Sequence, residues 1–182
     1  MLIAAGAAFS CRAESGSLVR LSLGRNREIE LEFSPKSALA EYVELPGAGT
    51  ELTLTLASYE LDCGRFVPPN ADTQASVTVV VIAPPGANLG PGEYAWAGHA
   101  AHGGTPGRPD RPYAVPTARV GRRGFLITPG GSLQLSEVSL VKQGRISGVL
   151  GFESAGEGGR EPSSIRGSFR ARLCRYQPSR KP

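Results

Sequence analysis

Residues 144–152 read GRISGVLGF, and residues 165–174 read IRGSFRARLC. Both runs alternate. In the second, Ile165, Gly167, Phe169, Ala171 and Leu173 share one face, while Arg166, Ser168, Arg170, Arg172 and Cys174 share the other. In the first, Ile146, Gly148, Leu150 and Phe152 oppose Arg145, Ser147 and Glu153. Alternation of this kind marks a half-buried strand, because successive side chains point to opposite faces of a sheet. The stretch between them, 154–162, is rich in glycine and charge, with Ala155 its one apolar residue, and reads as a solvated hairpin connection. Upstream, Leu133 and Leu135 alternate, and then Val138 and Leu140 alternate out of phase. A one-residue slip inside a strand predicts a β-bulge. Gly148 and Gly167 take inward positions on neighbouring strands, which lets a large neighbour cover them or lets the sheet bend sharply. The last fifty residues are therefore read as a three-stranded meander.

The rest of the chain repeats the pattern. Alternation predicts strands at 17–23 and 28–33, with Arg20 set to pair with the glutamates Glu28, Glu30 and Glu32 of the second. Further strands are expected at 50–61, 74–83, 93–97, 113–120 and 123–128. The run 74–83 is nearly continuous in β-branched residues, which predicts burial on both faces near the sheet centre. One helical stretch is expected: Ser34 as N-cap, Pro35 in the first turn and Ala38 to Glu41 following, ended by Pro46 and Gly47, although Tyr42 and Val43 pull toward strand. The sum is an all-β chain of nine or ten strands with at most one short helix, an antiparallel β-sandwich or closed barrel. The 24 glycines and 15 prolines suit many turns between short strands. A single β domain is expected over 13–176, with a disordered tail at 177–182.

Residues 1–10 are small and apolar. They read either as the end of a secretory or lipoprotein signal, with Cys11 acylated, or as a first strand. No run reaches transmembrane length, so a membrane role is expected only through a lipid anchor. The formal charge of +4 comes from mixed acids and bases, without the dense basic cluster and interleaved aromatics of a nucleic-acid binder. The cysteines are Cys11, Cys63 and Cys174. An odd count suggests one pair and one cysteine of another fate, and Cys63 and Cys174 each end an expected strand. The alternative is three buried thiols in a reducing compartment.

The runs 144–152 and 165–174, together with Cys63 and the turn-and-strand Pro91-Gly92-Glu93-Tyr94, resemble the ends of uncharacterised bacterial cell-envelope proteins, often lipoproteins. The resemblance spans about residues 50–175. It implies a β fold and a periplasmic, outer-membrane-anchored or extracellular location, and it brings no activity with it.

Candidate chemistry is sparse. His99 and His102, with Asp110, lie in a glycine-rich loop that offers two imidazoles and a carboxylate to a metal, but no rigid element to fix them. The plainer reading is a solvated loop. Tyr94 and Trp96 project from one face of a short strand, and with Tyr113 they form either a platform for a glycan ring or part of the core. Arg166, Arg170 and Arg172 form a positive stripe. It would suit phosphate, lipid headgroups or acidic glycans, or would keep an edge strand from pairing with other chains. No phosphate loop, Cys-x-x-Cys pair, dinucleotide fingerprint or serine-hydrolase elbow occurs, so no cofactor is expected. The composite expectation is a non-enzymatic secreted or cell-envelope binding or structural module of unknown ligand, with a glycan or another envelope protein as candidate partners. A carbohydrate-binding module using the aromatics and a metal-dependent enzyme at the histidine loop are the alternatives.

Overall fold

The computed structural model describes residues 17–24, 28–63, 65–96, 111–126, 130–155 and 162–177. Every regular element is a strand: β1 (Leu18–Leu23), β2 (Ile29–Phe33), β3 (Ser37–Leu45), β4 (Gly49–Ala57), β5 (Ala75–Ala83), β6 (Gly92–Ala95), β7 (Tyr113–Val120), β8 (Arg123–Leu126), β9 (Gly131–Val138), β10 (Arg145–Ala155) and β11 (Pro162–Gln177). They form one curled, open mixed sheet, ordered β6-β9-β10-β11-β3-β4-β5-β7-β8. The hairpin β1–β2 branches from β11.

β11 is the hub. One edge pairs with β10 from Arg172 to Pro162. The other edge is shared: Ser164 to Ser168 lie antiparallel to β1, while Arg172 to Gln177 run parallel to β3. Where β1 and β3 part, the Arg170 backbone N–H donates to Ser17 Oγ at 3.2 Å, so the fork leaves that donor satisfied. The parallel pair makes the sheet mixed, a departure from the expected antiparallel arrangement. The meander itself is as expected, including the slip: Glu137 pairs with Ser147 but Leu135 with Gly148, so Ser136 is the extra residue of a bulge. Gly148 lies opposite Phe169, and Gly167 opposite Leu150.

The expected helix at the start of β3 is a strand. Helix preference at Ala38, Leu39 and Ala40 is worth only tenths of a kcal/mol per residue. Here it competes with two ladders: nine residues of β3 pair with β4, from Ser37–Ala57 to Leu45–Gly49, and its other edge pairs with β11. The stretch 37–40 is buried on both faces, which a solvent-facing helical turn could not offer. β5 departs in the other sense. Val77, Val79 and Val81 are fully buried, whereas Thr78, Val80 and Ile82 are half-buried on the outer face.

One core fills the inside of the curl. Val19, Leu21, Leu23 and Phe33 of the branching hairpin meet Leu52, Leu54, Leu56, Phe152, Ile165 and Phe169 there. Two side contacts draw the free margins together. Arg123 of β8 reaches Glu28 at 3.8 Å, and Trp96, just past β6, forms a single parallel bridge with Ala114 of β7. A satellite cluster lies on the outer face: Leu39, Ala57, Tyr59 and Leu61, with Cys174 packed against it. Tyr59 and Leu61 do not continue β4. The chain folds back, the Leu61 N–H donating to Ser37 Oγ at 2.8 Å and the Tyr59 hydroxyl donating to the Val67 carbonyl at 2.8 Å.

At one end of the sheet Tyr42 stacks on Tyr176, ring centroids 5.4 Å apart, and donates its hydroxyl to Glu44 Oε1 at 2.9 Å. Burial first, then the Glu44 hydrogen bond and charge, push the Tyr42 phenol from 10.0 up to about 12. Burial also raises Tyr59. A raised phenol means that the folded chain holds a proton the unfolded chain gives up. This contribution is therefore intact below pH 10 and lost as the pH climbs toward 12. Two pH units correspond to about 2–3 kcal/mol for Tyr42. Urea midpoints taken at pH 9 and pH 11.5 will show the fall, and Tyr42→Phe will flatten most of it. An equal fall in that variant would contradict the assignment to Tyr42.

Candidate functional site

The pairing of β2, β1, β11 and β10 lays outward side chains in cross-strand rows, with adjacent strands about 4.8 Å apart. One row reads Glu32, Arg20, Arg166, Gly151, and the next reads Glu30, Ser22, Ser164, Glu153. Long charged side chains thus surround the two serines. The short residues leave a hollow, and the long ones wall it. The result is a cleft of about 580 Å³ lined by these charged and serine side chains, with Leu21, Leu31, Ser154 and Ser163 completing it. Its volume falls within the ~300–1,000 Å³ range of small-molecule sites.

Arg20 and Arg166 face each other across the β1–β11 ladder. Like charges so placed repel. Each is offset on its far side: Arg20 ion-pairs with Glu32, and Arg166 with Glu153. The Arg20 partner is one of the three glutamates expected for the first hairpin. These pairs are exposed and contribute little to stability. Their effect is to hold guanidinium donors and carboxylate acceptors side by side along the cleft. Glu30 makes no ion pair among the described residues.

The arginine stripe does not act as one unit. Arg166 belongs to the cleft. Arg170 and Arg172 stand further along β11, opposite Ser147 and Arg145. Nor does the stripe guard an edge, because β11 is paired on both sides. The aromatic trio is not brought together. Tyr94 is buried, its hydroxyl donating to the Gly90 carbonyl at 2.6 Å and accepting from the Gly90 N–H at 3.0 Å. Trp96 packs half-buried against the core. Tyr113 lies opposite Ile82 on the outer face, since its neighbour Ala114 is fully buried. Cys11, His99, His102 and Asp110 lie outside the described residues. Among the described residues no group of three or more His, Cys, Asp or Glu is placed to hold a metal.

Cys63 and Cys174 are bonded, Cα atoms 5.2 Å apart. The bridge ties a tight turn, in which the Arg65 N–H donates to the Asp62 carbonyl at 3.2 Å, to the outer face of the hub strand. A structural disulfide indicates an oxidising, non-cytoplasmic compartment. Beside it a smaller, mostly apolar hollow of about 220 Å³ lies among Leu39, Thr55, Leu61, Phe66 and Thr78. No described helix is long and apolar enough to cross a membrane.

The sequence signals behind the cleft are visible only in retrospect. Glu30, Glu32, Arg20 and Ser22 are polar alternates of β1 and β2, and Glu153, Ser164 and Arg166 are polar alternates of the last hairpin. What joins the two groups is the β1–β11 ladder. Compared with known proteins, the chain matches no family model, no curated protein and no solved structure.

Proposed function

We propose that this chain is an exported binding domain of the bacterial cell envelope, periplasmic, outer-membrane-anchored or extracellular, whose ligand is a small polar molecule held in the Arg20–Arg166 cleft. The observation that carries this reading is the hollow itself. Here Ser22, Ser154, Ser163 and Ser164 line a basin rimmed by ion-paired donors and acceptors. The disulfide supports the exported setting. The single Trp96–Ala114 bridge supports reading the curled sheet as a barrel short of closure, a rigid frame for such a site. The glycan platform of Tyr94, Trp96 and Tyr113 is disfavoured, since two of the rings turn inward.

Amide NMR of the labelled domain, titrated with a library of sugars, amino acids, organic acids and phosphates, tests the site without presuming the ligand. Shifts grouped at residues 20–22, 30–32, 151–154 and 163–166 are expected. Shifts grouped elsewhere, or none across the library, would remove the cleft as the binding site.

A further inference from the structure

The cleft's charge arrangement narrows its ligand, and this step rests on the reading of the cleft as the site. Arg20 and Arg166 are the lining cations, and Glu30, Glu32 and Glu153 the lining anions. An anionic ligand would gain the arginines only by competing with carboxylates already on them, and it would also meet Glu30. A cationic ligand would reach the carboxylates but lie against two guanidiniums. The two guanidiniums and three carboxylates leave the basin with a net charge of −1, which disfavours an anion, while a cation would gain Glu30 only by lying against both guanidiniums. What the walls offer is donors beside acceptors at close spacing: guanidinium N–H groups, which only donate, next to carboxylate oxygens, which only accept. The Ser22 and Ser164 hydroxyls, which do both, lie opposite each other between them. A hydroxyl group is the ligand chemistry that gives and receives at once, and charge-assisted bonds to it are the stronger kind. Several hydroxyls on a ring would meet the two Arg–Glu pairs together. We infer that the cleft takes a neutral polyhydroxylated ligand, a saccharide unit, bound through hydrogen bonds to the Arg20–Glu32 and Arg166–Glu153 pairs and not by aromatic stacking.

Calorimetry on the intact domain separates the classes. The probes are neutral disaccharides (cellobiose, maltose and chitobiose, backed by an array of neutral glycans), digalacturonate, the chitosan dimer and inorganic phosphate. The expected result is one-to-one binding of a neutral saccharide, changed less than about twofold between 50 and 500 mM salt because no net charge is neutralised. Arg166→Gln and Glu153→Gln are each expected to weaken it about tenfold or more. Arg145→Gln, at the far end of β10, leaves it unchanged. All three positions are exposed, and a thermal melt confirms that each variant is folded. Tighter, salt-sensitive binding of digalacturonate, the chitosan dimer or phosphate, lost in the cleft variants, would overturn the neutral class while leaving the cleft as the site. Binding of no neutral saccharide on the array, or affinities untouched by both cleft variants, would also overturn the inference. Amide shifts grouped away from residues 20–22, 30–32, 151–154 and 163–166 would remove the cleft itself, whichever class binds.

Discussion

Cys174→Ser is expected to lower the free energy of unfolding by about 5 kcal/mol. The bridge joins residues separated by 111 positions. In the chain-entropy model, a loop of that size restricts the unfolded ensemble by about 4.8 kcal/mol. For a urea slope of about 2 kcal/mol per molar, the midpoint moves down by about 2.5 M. Reduction of the native protein should reproduce the shift, because it acts on the same bond without altering the core. The bridge also pins the turn at Cys63 beside Leu39, Tyr59 and Leu61, so their satellite cluster loosens with it. A midpoint change below about 0.5 M on both routes would show that the bridge contributes little constraint.

Gly148→Ala and Gly167→Ala are each expected to destabilise by about 3 kcal/mol, the upper range for overpacking. A methyl at Gly148 would overlap the Gln134 carbonyl oxygen on β9, and one at Gly167 would overlap the Leu18 carbonyl oxygen on β1. The next atoms, Leu135 Cα at 3.2 Å and Val19 Cα at 3.0 Å, are backbone too. Nothing there can swing aside as a side-chain tip would. The obstruction follows from the curl: the inner face closes on itself so tightly that neighbouring backbone occupies the space a Cβ would need. Gly151→Ala is the control. It sits on the outer face of the same hairpin, where the nearest atom to an added methyl is the Ser132 oxygen at 3.9 Å. A change within about 0.5 kcal/mol is expected there. Equal losses at all three positions, measured by urea unfolding, would contradict the account of the curl.

Local features were legible from the sequence because local rules set them. The period-two pattern of 165–174 places Phe169 and Leu173 inward whatever the neighbours are, and the slip after Leu135 announces the bulge at Ser136. The pairing of Cys63 with Cys174 was legible as well, though only as the better of two accounts of three cysteines. What escaped was everything decided by distant partners. Ala38, Leu39 and Ala40 read as helix because alanine and leucine favour it locally, and the ladders that overrule them come from β4 and from β11 at the far end of the chain. That Arg166 parts company with Arg170 and Arg172 depends on which strand lies beside each, and this is set where β11 is shared between β1 and β3. The cleft escaped for the same reason. In sequence Arg20 reads as a partner of the hairpin glutamates and Arg166 as one of an arginine stripe, and the two become the centre of one site only when the first strand pairs with the last.

The most direct test of the central claim, a sheet whose hub strand is tied by a disulfide to the turn at Cys63 in an oxidising compartment, is peptide mapping of the unreduced protein isolated from its own host, with free thiols blocked before digestion. The account predicts one cross-linked species containing Cys63 and Cys174, and no blocked thiol at either position. Blocked thiols at both Cys63 and Cys174 would contradict it. They would place the protein in a reducing compartment and remove both the tie between the Cys63 turn and the hub strand and the exported setting proposed for the cleft.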